Sequence, residues 1–170
     1  MLLSYEQIRL FRHNGYLKLP KKLPVSMIEC LKKQILHDLR AVVKPVVFNK
    51  TGQAVRISQI LDRGTLFEKV ASYVPLLDGL EDLLGHNIEV VKNRHNHATL
   101  NLATGQDAVF HRDLMQWSRG LVSVIFFLED AHLDNGCTQI IPGSHMLPEV
   151  EDMHHVDAAS WIEKSGVLEQ

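Results

Sequence analysis

Residues 110–117, FHRDLMQW, set a histidine and an aspartate two positions apart between apolar neighbours. Burying an imidazole and a carboxylate is costly unless they are paired or hold a third party. On a β-strand, side chains at i and i+2 share a face, so His111 and Asp113 point the same way and Arg112 points opposite. One neutral nitrogen and one anionic oxygen on a common face can bind a single divalent metal. That is two-thirds of the two-histidine, one-carboxylate set that leaves open positions on ferrous iron. The competing reading is a surface His-x-Asp pair on a strand edge, a short pattern that chance produces often.

Other groups lie within reach in sequence. Pro142-Gly143 forces a turn, with Ser144 and His145 just beyond it. His97 and Asn101 share a face if the strand ATLNL is regular, so His97 either reaches a pocket or stands exposed. The run RHNH at residues 94–97 has the residue types of a nuclease metal site. A nuclease should also show basic surface and a ββα-metal context, and the net charge of -2 argues against it. No HExxH or cysteine-rich ligand set supports a zinc hydrolase.

Positioning these groups falls to two differently textured halves. Ser4 and Gln7 form a capping-box pattern before IRLF, and Gly15 stands where a helix C-cap belongs. YLKLP then alternates as a short strand and stops at Pro20. From Val25, Ile28, Leu31, Ile35 and Leu39 recur at helical spacing, and PLLDGLEDLLG predicts a further helix from Pro75 to Gly85. Beyond Gly85, residues 87–105, 107–114, 121–130 and 137–145 favour extended structure, the last following the turn signal Asp134-Asn135-Gly136. Four strand candidates in quick succession suggest an antiparallel sandwich or barrel. The expected class is α+β, one domain over residues 1–170, helical over about 1–86 and β-rich over about 87–170.

Composition bounds the function. At 170 residues, 45% hydrophobic and 22% charged, the chain is long enough for one domain with a true core. Basic pairs such as Lys21-Lys22 and Lys32-Lys33 are scattered, which leaves no footprint for nucleic acid or an anionic membrane. Two distant cysteines, Cys30 and Cys137, make no disulfide framework and fit a reducing cytoplasm. The N-terminus turns polar too soon for a signal peptide, and LVSVIFFL is too short to span a bilayer. The expectation is a soluble cytoplasmic protein. Its ten histidines, concentrated from His95 onward, mark where ligands or proton carriers belong.

FHRDLMQW, VIFFLEDAHLDNGCTQIIPGSH and the N-terminal FRHNGYLKLP together resemble the phytanoyl-CoA dioxygenase family of iron(II)/2-oxoglutarate oxygenases. The resemblance runs from about Ser4 to His145, and DNGCTQIIPGSH is its most specific block. It implies N-terminal helices packed on a double-stranded β-helix (jelly roll). It implies His111 and Asp113 as iron ligands, Asn101 as a contact to 2-oxoglutarate, and Trp117 as a pocket wall, although Trp117 also reads as a plain core residue. His145 is then a loop-shaping residue that hydrogen-bonds at its turn, not the third ligand. An intact Asp113 implies hydroxylation rather than halogenation. The implied partners are iron(II), 2-oxoglutarate, O2, a small-molecule substrate and ascorbate as reductant. The lack of a basic cluster for CoA phosphates points to a smaller metabolite, such as an amino-acid derivative or natural-product intermediate. Oligomeric state is not legible.

The family pattern also demands a second histidine on a later strand and an arginine for the distal carboxylate of 2-oxoglutarate. Downstream of the motif stand only His132, His145, His154 and His155, and no arginine follows Arg119. A jelly roll normally takes about eight strands, so the architecture reads as incomplete at its C-terminus. Three readings stay open: an N-terminal portion of a longer enzyme, a natural short relative that binds metal poorly, or a site rebuilt with His155 or a partner chain. The second would be a non-catalytic family member with an interaction or regulatory role.

Overall fold

The computed structural model describes residues 2–100 and 120–146. Helix α1 (Tyr5–Asn14) begins as its sequence directs: the backbone N–H of Gln7 donates to Ser4 Oγ (3.1 Å), and that of Ser4 to Gln7 Oε1 (2.9 Å). It ends at Gly15, whose φ of 82° is left-handed and whose N–H bonds Phe11 O. The segment before α1 is tied to helix α4 (Val74–Leu84), because Asp82 Oδ2 accepts the N–H groups of Leu2 (2.5 Å) and Leu3 (2.8 Å). Those bonds hold the Asp82 carboxyl below the usual carboxylate range.

YLKLP forms no strand: residues 16–20 carry no ladder. Leu19 instead approaches α4 at Gly79, where a Cβ would lie 3.1 Å from Leu19 Cδ2. The packing need overrides the alternation.

Helix α2 (Val25–Arg40) buries Leu31, Ile35 and Leu39, the stripe its spacing predicts. That stripe meets Ile57 of the sheet and Phe67 and Val70 of helix α3 (Thr65–Ala71), and these six make the core cluster. A β-hairpin follows α2 within the half expected to be helical. Strands β1 (Val46–Phe48) and β2 (Ala54–Ser58) pair antiparallel, with a register shift after Val47. Their turn is organised by Asn49, whose Oδ1 accepts from Thr51 N (3.0 Å), Thr51 Oγ1 (2.8 Å) and Gln53 N (2.9 Å). Strand β3 (His97–Thr99) adds antiparallel to β2, giving the sheet order β1-β2-β3.

The described residues are thus a mixed α+β assembly with one three-stranded antiparallel sheet. Of the four extended segments expected beyond Gly85, only residues 97–99 make a ladder among the described residues. Residues 121–128 carry no ladder, and Ile125 and Phe127 are exposed. Asp134-Asn135-Gly136 forms a 3-10 turn (Leu133–Asn135) closed by Gly136 at φ 76°. The segment 107–114 lies outside the described residues.

A buried ion pair locks the hairpin to α2. Asp38 is 4% exposed, and its carboxylate accepts from Gln34 Nε2 (2.8 Å) and Arg63 Nη1 (3.0 Å), with His37 Nδ1 at 3.3 Å. Arg63 spends its other donors on Ser58 O (2.8 Å) and Pro45 O (2.8 Å). One guanidinium therefore joins α2, the approach to β1 and the end of β2. Burial acts to raise the Asp38 pKa. The hydrogen bonds from His37, Arg63 and Gln34, with the Arg63 charge, outweigh it and hold the carboxyl below the usual range.

Candidate active site

The sheet has two unlike faces. Ile57 has no exposed surface, and its cross-strand partners Val46 and Ala98 pack with it against the α2–α3 core. Alternation then puts Val47, Arg56 and Thr99 in one row on the other face, with Ser58 and His97 in the next. Away from the core this face carries a guanidinium, two hydroxyls and an imidazole.

His97 therefore stands on β3 on the polar face, half-buried, its ring centroid 6.1 Å from that of His95. Asn101, His111, Asp113 and Trp117 lie outside the described residues, as do His154 and His155. Among the described residues no group of three or more His, Cys, Asp or Glu could hold a metal ion. Cys30 and Cys137 are both free thiols.

Arg56 escaped the sequence reading. The signal was present: AVRIS sets one cation in a short strand of otherwise apolar and small residues. Its Nε is buried and makes no hydrogen bond among the described residues. Buried polar groups are nearly always paired, so an orphan in the middle strand of a sheet requires a reason.

The RHNH segment has a structural explanation in part. Asn96 Oδ1 accepts the N–H of Leu61 (3.1 Å), its Nδ2 donates to Lys92 O (3.0 Å), and its carbonyl accepts from Ile60 N (3.3 Å). Asn96 thus fixes the entry to β3 against the 3-10 turn Ile60–Asp62. His145 also takes the structural role expected of it. Its Nε2 donates to Arg12 O (3.1 Å), while Gly143 N donates to Asn14 O (2.8 Å), so the PGSH turn sits on the C-terminus of α1. A shallow trough of about 470 Å³ beside β1 is lined by Val42, Lys44, Pro45, Val46 and Phe48, and none of these is a metal ligand.

Among the described residues no helix is long and apolar enough to cross a membrane. No curated protein matches the chain. The family model described as phytanoyl-CoA dioxygenase (PhyH) matches residues 11–167, nearly the whole length, including the HxD pair, the PGSH turn and the polar sheet face. The chain belongs to the phytanoyl-CoA dioxygenase family, within the iron- and 2-oxoglutarate-dependent oxygenases.

Proposed function

We propose that this chain is a non-haem iron(II)/2-oxoglutarate-dependent dioxygenase, or a part of one, that hydroxylates an aliphatic carbon of a small molecule. The observation that carries the reading is the family match over residues 11–167, because that span takes in both His111 and Asp113. Residues 1–170 form one domain in this reading, with the helices on a jelly roll to which β1–β3 contribute. His111 and Asp113 hold the iron, Asn101 contacts 2-oxoglutarate, and Trp117 and His97 line the substrate pocket. Bound iron with 2-oxoglutarate and O2 supplies the oxidising chemistry, with ascorbate as reductant. The polar face bearing Arg56, Ser58, His97 and Thr99 suits the anionic partners of such a reaction. The ligands are a small molecule and O2, with neither nucleic acid nor membrane as partner, and the protein acts in the cytoplasm.

A second reading is that residues 1–170 do not complete an iron and 2-oxoglutarate site. In that reading the chain is a non-catalytic member with an interaction or regulatory role. Anaerobic titration of chelator-stripped protein with ferrous iron, then metal analysis after desalting, tests both. About one iron per chain, lost in His111→Ala and in Asp113→Ala, is the result expected for the oxygenase. Iron content unchanged in either variant removes the assigned ligands, and wild-type protein free of iron leaves the non-catalytic reading.

A further inference from the structure

Strand β1 stands at the edge of the sheet, and its outer side has no strand against it among the described residues. Pro45 O accepts the N–H of Ser58 (3.0 Å), and Asn49 N donates to Gln53 O (2.9 Å). Alternation therefore turns the N–H and C=O groups of Val46 and Phe48 away from β2. The trough of about 470 Å³ lies along this side, lined by Val42, Lys44, Pro45, Val46 and Phe48. Its apolar groups are only partly covered: Phe48 is 49% exposed, and Val42 is exposed as well. Val42 sits there at a conformational cost. Helix α2 closes with the N–H of Val43 donating to Asp38 O (2.9 Å) and that of Val42 to Leu39 O (3.3 Å), a pattern whose left-handed position glycine normally fills. Here a β-branched valine takes it, at φ 53°. Glycine would serve the helix end better, so the fold gives no reason for the side chain that heads the trough.

Charge marks the same place. No acid occurs between Asp38 and Asp62. Arg40, Lys44 and Lys50 are exposed around the strand, and none forms an ion pair among the described residues. Lysine on an edge strand guards against pairing with a like copy. Antiparallel pairing of two copies centred on Val47 would set Lys44 of each against Lys50 of the other. That guard explains the charge, but not the apolar trough or Val42.

We propose that the open edge of β1 is a docking site for an extended peptide of another protein, apolar at alternate positions and flanked by acidic residues. The peptide adds as a strand beside β1, held by main-chain bonds to Val46 and Phe48. Its apolar side chains enter the trough against Val42 and Phe48, and its acids meet Lys44 and Lys50. The lysines that repel a second copy thus select the acidic partner. The inference goes beyond the oxygenase reading and does not rest on it, since no residue of the trough is a metal ligand.

Fluorescence anisotropy with the whole chain tests this, using short labelled peptides that alternate an apolar residue with threonine and carry glutamates at both ends. Lysine-ended versions are the charge control, and backbone N-methylated versions are the strand-pairing control. At least one glutamate-ended peptide is expected to bind, more weakly as salt rises, and to slow hydrogen exchange at Val46 and Phe48. Neither control is expected to bind. Lys44→Glu combined with Lys50→Glu is expected to weaken that binding by about tenfold and to admit the lysine-ended peptide. Val42→Gly is expected to weaken binding several-fold while its thermal midpoint equals or exceeds that of wild type, because left-handed strain is relieved. No binding of any glutamate-ended peptide, or equal binding of the glutamate- and lysine-ended sets, overturns the proposal. Affinity unchanged in both Val42→Gly and the double variant places the peptide elsewhere and overturns it too. So does sedimentation with phosphatidylserine-containing vesicles in place of peptide binding, which makes the edge a membrane contact. A concentration-dependent dimer abolished by Val47→Pro, again without peptide binding, makes the edge a self-contact and is equally fatal.

Discussion

The imidazole of His145 occupies the space that a side chain on Gly15 would need: a Cβ there would lie 2.7 Å from His145 Cγ. Gly15 is therefore required twice, once for its left-handed φ of 82° and once for the closeness of a ring 130 positions away in sequence. The ring is held there because Nε2 donates to Arg12 O. The glycine of FRHNGY and the histidine of PGSH are two halves of one contact.

Gly15→Ala should destabilise the chain by about 2–3 kcal/mol, the sum of left-handed strain and a displaced hydrogen bond. In a His145→Ala background the same change should cost only the strain, about 1–2 kcal/mol. Urea denaturation of the four proteins measures the coupling. A cost for Gly15→Ala that is identical in both backgrounds would show that the ring does not press on this site.

These cases show what the sequence could and could not disclose. Helices α1, α2 and α4 were legible because caps and apolar spacing are local properties of the chain. The hairpin β1–β2 was not, since its strands are three and five residues long and its turn is set by the Asn49 side chain rather than by a glycine pair. YLKLP misled for the opposite reason: its alternation is real, but Leu19 is spent on Gly79 of α4 and no strand among the described residues pairs with it. His97 lies on β3 in the row beside Ser58, away from the core, while Asn101, with which it was expected to share a face, lies outside the described residues. Arg56 was passed over because a lone arginine in a strand looks like any surface cation until the register shows which face it takes.

Asp38→Asn should cost about 3–5 kcal/mol, because Arg63 would be left buried without its counter-charge. The pH dependence has a definite sign. The folded pKa of Asp38 is lowered, so its contribution is complete above the unfolded value near 3.9 and fades as pH falls through the folded one. Wild-type stability should therefore drop below about pH 4, and the Asp38→Asn profile should be flatter there. Denaturation midpoints across that range are the measurement, and parallel profiles would remove Asp38 as a source of acid sensitivity.

Asn96→Ala should lower stability by about 1–2 kcal/mol, since the N–H of Leu61 loses its acceptor and the entry to β3 loses its tie to the 3-10 turn. Iron content should be unchanged in the same variant. Loss of metal with no loss of stability would instead return residues 94–97 to consideration as a ligand cluster.

Turnover is the property for which the sequence gives the sharpest expectation. In the proposed oxygenase reading, residues 1–170 supply His111 and Asp113 as iron ligands, and neither His132, His145, His154 nor His155 is assigned the family's remaining ligand position. Succinate formation by the 170-residue chain, with iron, ascorbate and 2-oxoglutarate, should stay at or near the background of His111→Ala. Robust succinate formation that vanishes in His111→Ala would mean the missing ligand is supplied, and His155→Ala or a dependence of rate on protein concentration would then separate a residue of the same chain from one of a second copy.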